Sequence, residues 1–140
     1  MKSFSFNGRR VLLGRLEMGD DLLHGLTEFC VQHEVNAGSI QALGVVQSGA
    51  VGYYDQETAS RGEIRFDEGM EIASLVGNIS RKEGEVFLHC HITLADRKGR
   101  CFGGHLVEGN VAFVCEFSIT ALEGPVPERT HDEATGLMIW

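Results

Sequence analysis

Three of the six histidines fall in one stretch, Glu85 to Glu108, which reads EVFLHCHITLADRKGRCFGGHLVE. His89 and His91 form an H-x-H pair, and His105 follows two glycines. Successive strand side chains point to opposite faces, so His89 and His91 share one face while Leu88, Cys90 and Ile92 share the other. Imidazole nitrogen suits zinc, copper, iron and nickel, and this pair presents two such nitrogens side by side. A third histidine from a neighbouring strand completes the set used by a catalytic zinc that keeps a position open for water or substrate. Such a zinc lowers the pKa of its water to ~7 and polarises a carbonyl oxygen. The competing reading is three half-buried rings satisfied by backbone carbonyls.

The turn between the two arms decides where His105 goes. Asp96 is favoured at the first position of a type I turn, and Gly99 supplies the left-handed residue that closes a three-residue loop with a bulge. The loop Arg97-Lys98-Gly99 pairs Asp96 with Arg100, and the same register puts His91 opposite His105. A loop one residue longer or shorter sends His105 to the other face. Cys90 points away from the pair and is a poor fourth ligand. Chemistry at the metal needs an acid or base, for which Glu71 and Glu116 are the candidates, each a carboxylate in a mostly apolar strand. The plain alternative for both is a salt bridge or an exposed strand position. Gly103 and Gly104 beside His105 leave room for a ligand or for close approach of two chains.

Length and charge bound the function. The 140 residues make one domain able to bury a core, and 43% hydrophobic with 23% charged residues is typical of a globular protein. The net charge of −8, with 12 basic against 20 acidic residues, opposes phosphate binding and lowers the expectation of a DNA-binding module acting alone. No apolar run approaches the ~20 residues that cross a bilayer. No signal peptide is evident, so the expected compartment is the cytoplasm. Cys30, Cys90, Cys101 and Cys115 form no C-x-x-C and sit in apolar stretches, which reads as buried reduced thiols.

Taken in order, Arg10 to Leu16 reads as a first strand. Asp20 is placed to cap a helix over Asp21 to His33, where Leu22, Leu26, Phe29, Cys30 and His33 recur at helical spacing. His24 and His33 read as a solvated side chain and a ring favoured by the helix dipole. The glycine-punctuated run from Ala37 to Asp55 suggests two strands meeting near Gln47-Ser48-Gly49. It matches no phosphate-binding glycine motif, so its glycines mark bulges or close backbone contacts. Gly62 to Phe66 reads as a short edge strand, and further strands span Glu71 to Ser80, Glu85 to Ala95, Cys101 to Val107 and Val111 to Leu122. In the last, alternation puts Val111, Phe113, Cys115, Phe117 and Ile119 on one face. The tail after Gly124 carries both prolines and reads as irregular, with Leu137, Ile139 and Trp140 clipped onto the body or a neighbour. The expected fold is a two-layer α+β domain, a mainly antiparallel meander with one principal helix packed on it.

The runs MGDDLLHGLTEFCVQHEVNAGSIQALGVVQSGAVGYYD, MEIASLVGNIS, FLHCHITLADRKGRCFGGHLVEGNV and TGLMIW resemble the PPC (plants and prokaryotes conserved) domain family over nearly the whole chain. The most specific pieces are the H-x-H, the GGHL after the turn and the E-I-x-S-L-x-G strand. The resemblance to the stand-alone bacterial and archaeal branch implies a homotrimer with His89, His91 and His105 as a metal cluster, zinc first, and a small molecule as the possible ligand. In plants the domain follows AT-hook motifs; no Arg-Gly-Arg-Pro core occurs here, and only Glu71-Ile72 match the plant Gly-Arg-Phe-Glu-Ile-Leu core. The family's naming implies a DNA-associated or regulatory module as the alternative function. The fold is also similar to that of acetolactate decarboxylase, a histidine-bound zinc enzyme, which implies a lyase-like reaction by analogy of fold alone.

Overall fold

A computed structural model describes residues 3–6 and 8–140. The described residues form one helix and nine strands. They run β1 (Gly8–Leu16), α1 (Leu22–Gln32), β2 (Gly38–Asp55), β3 (Ser60–Phe66), β4 (Met70–Lys82), β5 (Glu85–Ala95), β6 (Cys101–Leu106), β7 (Val111–Glu123), β8 (Glu128–Asp132) and β9 (Leu137–Ile139). The fold is α+β in the broad sense but mainly β, and the sheet is mixed, because β8 runs parallel to β4. No described helix is long and apolar enough to cross a membrane.

The expected meander gives way to a more closed arrangement. Strands follow the order β1-β7-β2-β6-β5-β4-β8-β9, and β2 also pairs with β3 and β4. The pairs β2–β6, β6–β5, β5–β4 and β4–β2 therefore form a closed circuit. The cause lies in β2, one strand of 18 residues where two were expected. Its first half lies between β4 and β7, and its second half meets β3 and β6. Register shifts around Gly44 and between Val45 and Ser48 bend the strand so that it can change partners. Gly44 has φ +144, and a Cβ there would lie 2.1 Å from the Val114 carbonyl oxygen, so only glycine fits. The glycines mark bulges and close approaches, as their spacing suggests.

One bulge overturns the alternation expected in β7. Val45 pairs with Val114 but Val46 with Ala112, leaving Phe113 as the extra residue. Phe113 is accordingly 57% exposed, while Ala112 is buried. Beyond the bulge Cys115, Phe117 and Ile119 enter the core as expected.

The helix buries Leu22, Leu26 and Cys30 against the sheet, and Phe29 meets the Phe117 ring edge-on at 4.8 Å. Its N-cap is Asp21 and not Asp20: the Asp21 carboxylate accepts from the amides of Leu23 and His24. Asp20 instead accepts from the Glu17 amide in the preceding turn. The second Asp21 oxygen accepts from the Gly109 amide at 2.7 Å, which ties the helix to the β6–β7 turn. Cys30, Cys90 and Cys115 are buried free thiols, whereas Cys101 is exposed beside the hairpin loop. Burial pushes the Cys30 and Cys90 thiols up to about 12 and Cys115 to about 11, which keeps all three inert.

The tail is ordered where an irregular segment was expected. Both prolines precede β8, and the Pro127 carbonyl accepts from the Arg81 amide. A turn closed by the Asp132 carboxylate, which accepts from the Thr135 amide and hydroxyl, returns the chain as β9. Trp140 ends the chain edge-on to Phe4 at 5.6 Å.

Asn110 holds the β6–β7 turn against β2. Its side chain is fully buried, accepts from the Ala50 amide and donates to the Ala50 and Val107 carbonyls. Each buried backbone group left unpaired costs about 1–3 kcal/mol. Asn110→Ala is expected to lose roughly 3 kcal/mol in denaturant unfolding, and an unchanged midpoint would show that this clamp does not contribute.

Candidate metal centre

The hairpin forms as its turn chemistry dictates. The Asp96 amide donates to the Arg100 carbonyl, and the Gly99 amide to the Asp96 carbonyl, with Gly99 at φ +76. Asp96 closes the loop with its own side chain, accepting from the Lys98 amide at 2.8 Å, the Arg100 amide at 2.9 Å and Arg100 Nε at 2.7 Å. The resulting register pairs Ala95 with Cys101 and His91 with His105.

The three histidines converge. Their ligating nitrogens lie within 4.8 Å of one another, so the group could hold a metal ion. The rings of His91 and His105 meet edge-on at 4.4 Å, and those of His89 and His105 stack at 5.3 Å. A tetrahedral zinc with bonds of about 2.0–2.1 Å sets its ligand nitrogens about 3.4 Å apart, within reach of small ring rotations. No hydrogen bond from another described residue ties these rings, so they are not satisfied by backbone carbonyls.

Burial lowers the pKa of His89, and the nearby charges of Arg129, His105, His91 and Arg61 lower it further. Burial, then His91 and Arg61, lower that of His105. Both rings are thereby held in the neutral form that binds metals.

Gly104 brings the hairpin against β2. A Cβ there would sit 2.3 Å from the Gly52 carbonyl oxygen, so the close approach expected beside His105 is made to β2 of the same chain. Behind the histidines opens a cavity of about 430 Å³, bordered by His89 and His105 together with Tyr53, Phe87 and Leu106. His91, on the same strand face, is exposed and does not border it.

Neither acid candidate borders this cavity. Glu71 is exposed on β4, in register with Val45 and Ala95. Glu116 is exposed on β7 between Arg15 and Leu43, with β2 intervening before the hairpin. The carboxylate at the cavity is Glu63, paired with Arg65. The remaining histidines stay apart: His24 bonds Glu108 at 3.1 Å, His33 packs on Phe29 and His131 is exposed. Sequence reasoning missed Arg61, Lys82 and above all Arg129, which also line the cavity. Arg129 had no local signal beyond a five-residue polar strand after two prolines.

This geometry has close structural relatives. The chain superposes on the metal-containing protein from Archaeoglobus fulgidus with a TM-score of 0.94 and 40% identity, covering 100% of this chain and 99% of that one. A plant- and prokaryote-conserved protein from Pyrococcus horikoshii gives 0.91 and 35%, covering 100% and 96%. A protein from Bacteroides thetaiotaomicron, described provisionally as DNA-binding, gives 0.83 and 25%, covering 96% and 94%. Among curated sequences, bifunctional GlmU proteins from two Synechococcus strains are 30% and 33% identical, over 89% and 92% of this chain. The chain spans 19% and 20% of their length. Residues 3–123, which include the whole hairpin, match the Plants and Prokaryotes Conserved (PCC) domain, and the chain belongs to that family.

Proposed function

We propose that this chain is a homotrimeric metal protein that binds a divalent ion, zinc first, through His89, His91 and His105 and presents it to a small molecule in the adjoining cavity. The approach of three imidazole nitrogens to within 4.8 Å carries the reading. The metal-containing A. fulgidus relative supports it. Bound there, zinc would supply a Lewis acid of the kind that serves lyase- or hydrolase-like reactions. The chain's own residues do the positioning: Asp96 fixes the register of His91 and His105, and Phe87 and Leu106 keep one cavity wall apolar.

The outer face of the sheet supports self-association. Val11, Leu13, Leu43 and Val76 are 62%, 80%, 59% and 55% exposed. Leu13, Leu43 and Val76 border one groove, and Val76 registers with His91. An apolar face of this kind marks an interaction surface, and in the trimer it would bring a second chain beside His91.

Three outcomes are expected. The purified chain takes up zinc, while His91→Ala loses roughly 100-fold in affinity, or about one ligand's share of a zinc site, by competition with a chromophoric chelator. A chain that takes up no metal after zinc addition would overturn the reading. In the metal-free chain, proton NMR places the His89 and His105 titrations below the ordinary 6.5. Because these folded values are depressed, the unfolded chain takes up protons first as pH falls through 6.5, so acidification through that window costs the metal-free chain stability. Denaturation that is as easy at pH 8 as at pH 5 would contradict this. Finally, light scattering gives three times the chain mass, and the double substitution of Leu13 and Leu43 by Lys reduces it to that of a monomer.

A further inference from the structure

We propose that the cavity behind the histidines is a receptor for a small oxyanion, a carboxylate or phosphate, held by Arg129 with Arg61 and Lys82 while the ligand's other end reaches the histidine centre. The proposal rests on the metal reading for that other end; the anion end stands on the cations alone.

Arg129 is the principal observation. It is 6% exposed, deep in a cavity wall, and all its partners are neutral. Nε donates to Ser80 Oγ at 2.8 Å, Nη2 to Asn78 Oδ1 at 2.8 Å and Nη1 to the Met138 carbonyl at 3.2 Å. The guanidinium carbon lies 5.1 Å from the Phe87 ring centroid. No carboxylate among the described residues pairs with it. A guanidinium carries five N–H donors, so two remain after these bonds. A buried charge without a counterion is costly, and a ligand of opposite charge would relieve that cost. Burial lowers its pKa from the ordinary arginine value, consistent with a charge held without a counterion.

The neighbours reinforce the sign. Lys82 is the register partner of Arg129 across the β4–β8 pair, and its ammonium lies 5.7 Å from the same Phe87 ring. Arg61 lines the cavity from β3, and its charge is felt at both His89 and His105. Three of the chain's twelve Lys and Arg residues thus border one cavity of a protein with net charge −8. The bordering carboxylate, Glu63, is taken up by Arg65. Like charges beside one another destabilise a sheet unless something of opposite charge lies between them.

The cavity also limits the size of the ligand. A volume of about 430 Å³ suits a small metabolite and excludes a duplex or a folded partner. A planar guanidinium takes a carboxylate or a phosphate through two parallel hydrogen bonds, the geometry that Lys cannot reproduce. The same cations oppose the charge of a metal at His89 and His105. An anion bound between them would relieve that repulsion, and linkage requires metal and anion to tighten one another's binding equally.

The test titrates inorganic phosphate and malonate, with neutral malonamide as control, into the metal-free chain, and malonate into the zinc-loaded chain. Binding is read by calorimetry and by the Arg129 Nε–H resonance. Either anion is expected to shift that resonance saturably, and malonamide to leave it unmoved. Arg129→Met is expected to weaken the anion at least tenfold while retaining zinc. Arg61→Gln, at an exposed position that leaves the core intact, weakens it severalfold and decides the matter if Arg129→Met fails to fold. The stronger of the two probes identifies phosphate or carboxylate as the ligand group. An unmoved Arg129 resonance in both forms of the chain, or anion binding unchanged in both variants, overturns the proposal. Anion binding to a chain that takes up no zinc upholds this proposal and overturns the metal reading instead.

Discussion

The convergence of the three histidines depends on one carboxylate at the far end of their hairpin. Asp96 is almost fully buried, and burial works against its charge. Hydrogen bonds from the Arg100 amide and side chain and from the Lys98 amide outweigh that effect and hold its pKa below the ordinary aspartate value. These bonds set the loop at three residues, and the loop length sets the register. Because strand side chains alternate, one residue more would turn His105 away from His91 and leave two imidazoles together instead of three. Arg100 approaches the same carboxylate with Nη2 at 2.6 Å, completing a two-pronged contact. The convergence of the three imidazoles is thus decided at the far end of the hairpin, by groups that never touch them.

The second constraint is the long β2 strand. It reaches four partners because glycine lets it bend at Gly44 and lets β6 come close at Gly52. That closure gives the hairpin a backing on which His89 and His105 can face a cavity instead of open solvent. The helix is fastened to the same frame: Asp21 both caps it and holds the Gly109 amide, while Asn110 clasps Ala50. Helix, turn and sheet are therefore joined by polar contacts at one place.

The hairpin and the helix were readable because their signals are local. A turn motif, a period of two and a period of 3.6 each fit within some twelve residues. The partners of β2 were not readable, since nothing in the sequence from Gly38 to Asp55 states that β4 and β7 will flank its first half. The Phe113 bulge was hidden for a related reason: an apolar residue in an alternating strand looks internal until its partner strand is known. Glu71 and Glu116 were candidates because apolar neighbours surround them in sequence, yet the pairings place both on exposed positions away from the cavity. Arg129 is the converse case. Its strand is short and polar, and its importance arises from Ser80, Asn78 and Phe87, all about fifty residues or fewer away and on other strands.

The hairpin has a further consequence for the order in which the protein assembles. All three histidines lie within residues 89–105, on two strands joined by one tight turn. Closing so short a loop costs little chain entropy, and a hairpin of this kind forms in about 1–10 μs. The Arg129 wall depends instead on contacts made across some fifty residues, after both prolines. The three histidines can therefore meet through local structure alone, whereas the wall around Arg129 waits for the last strands of the fold.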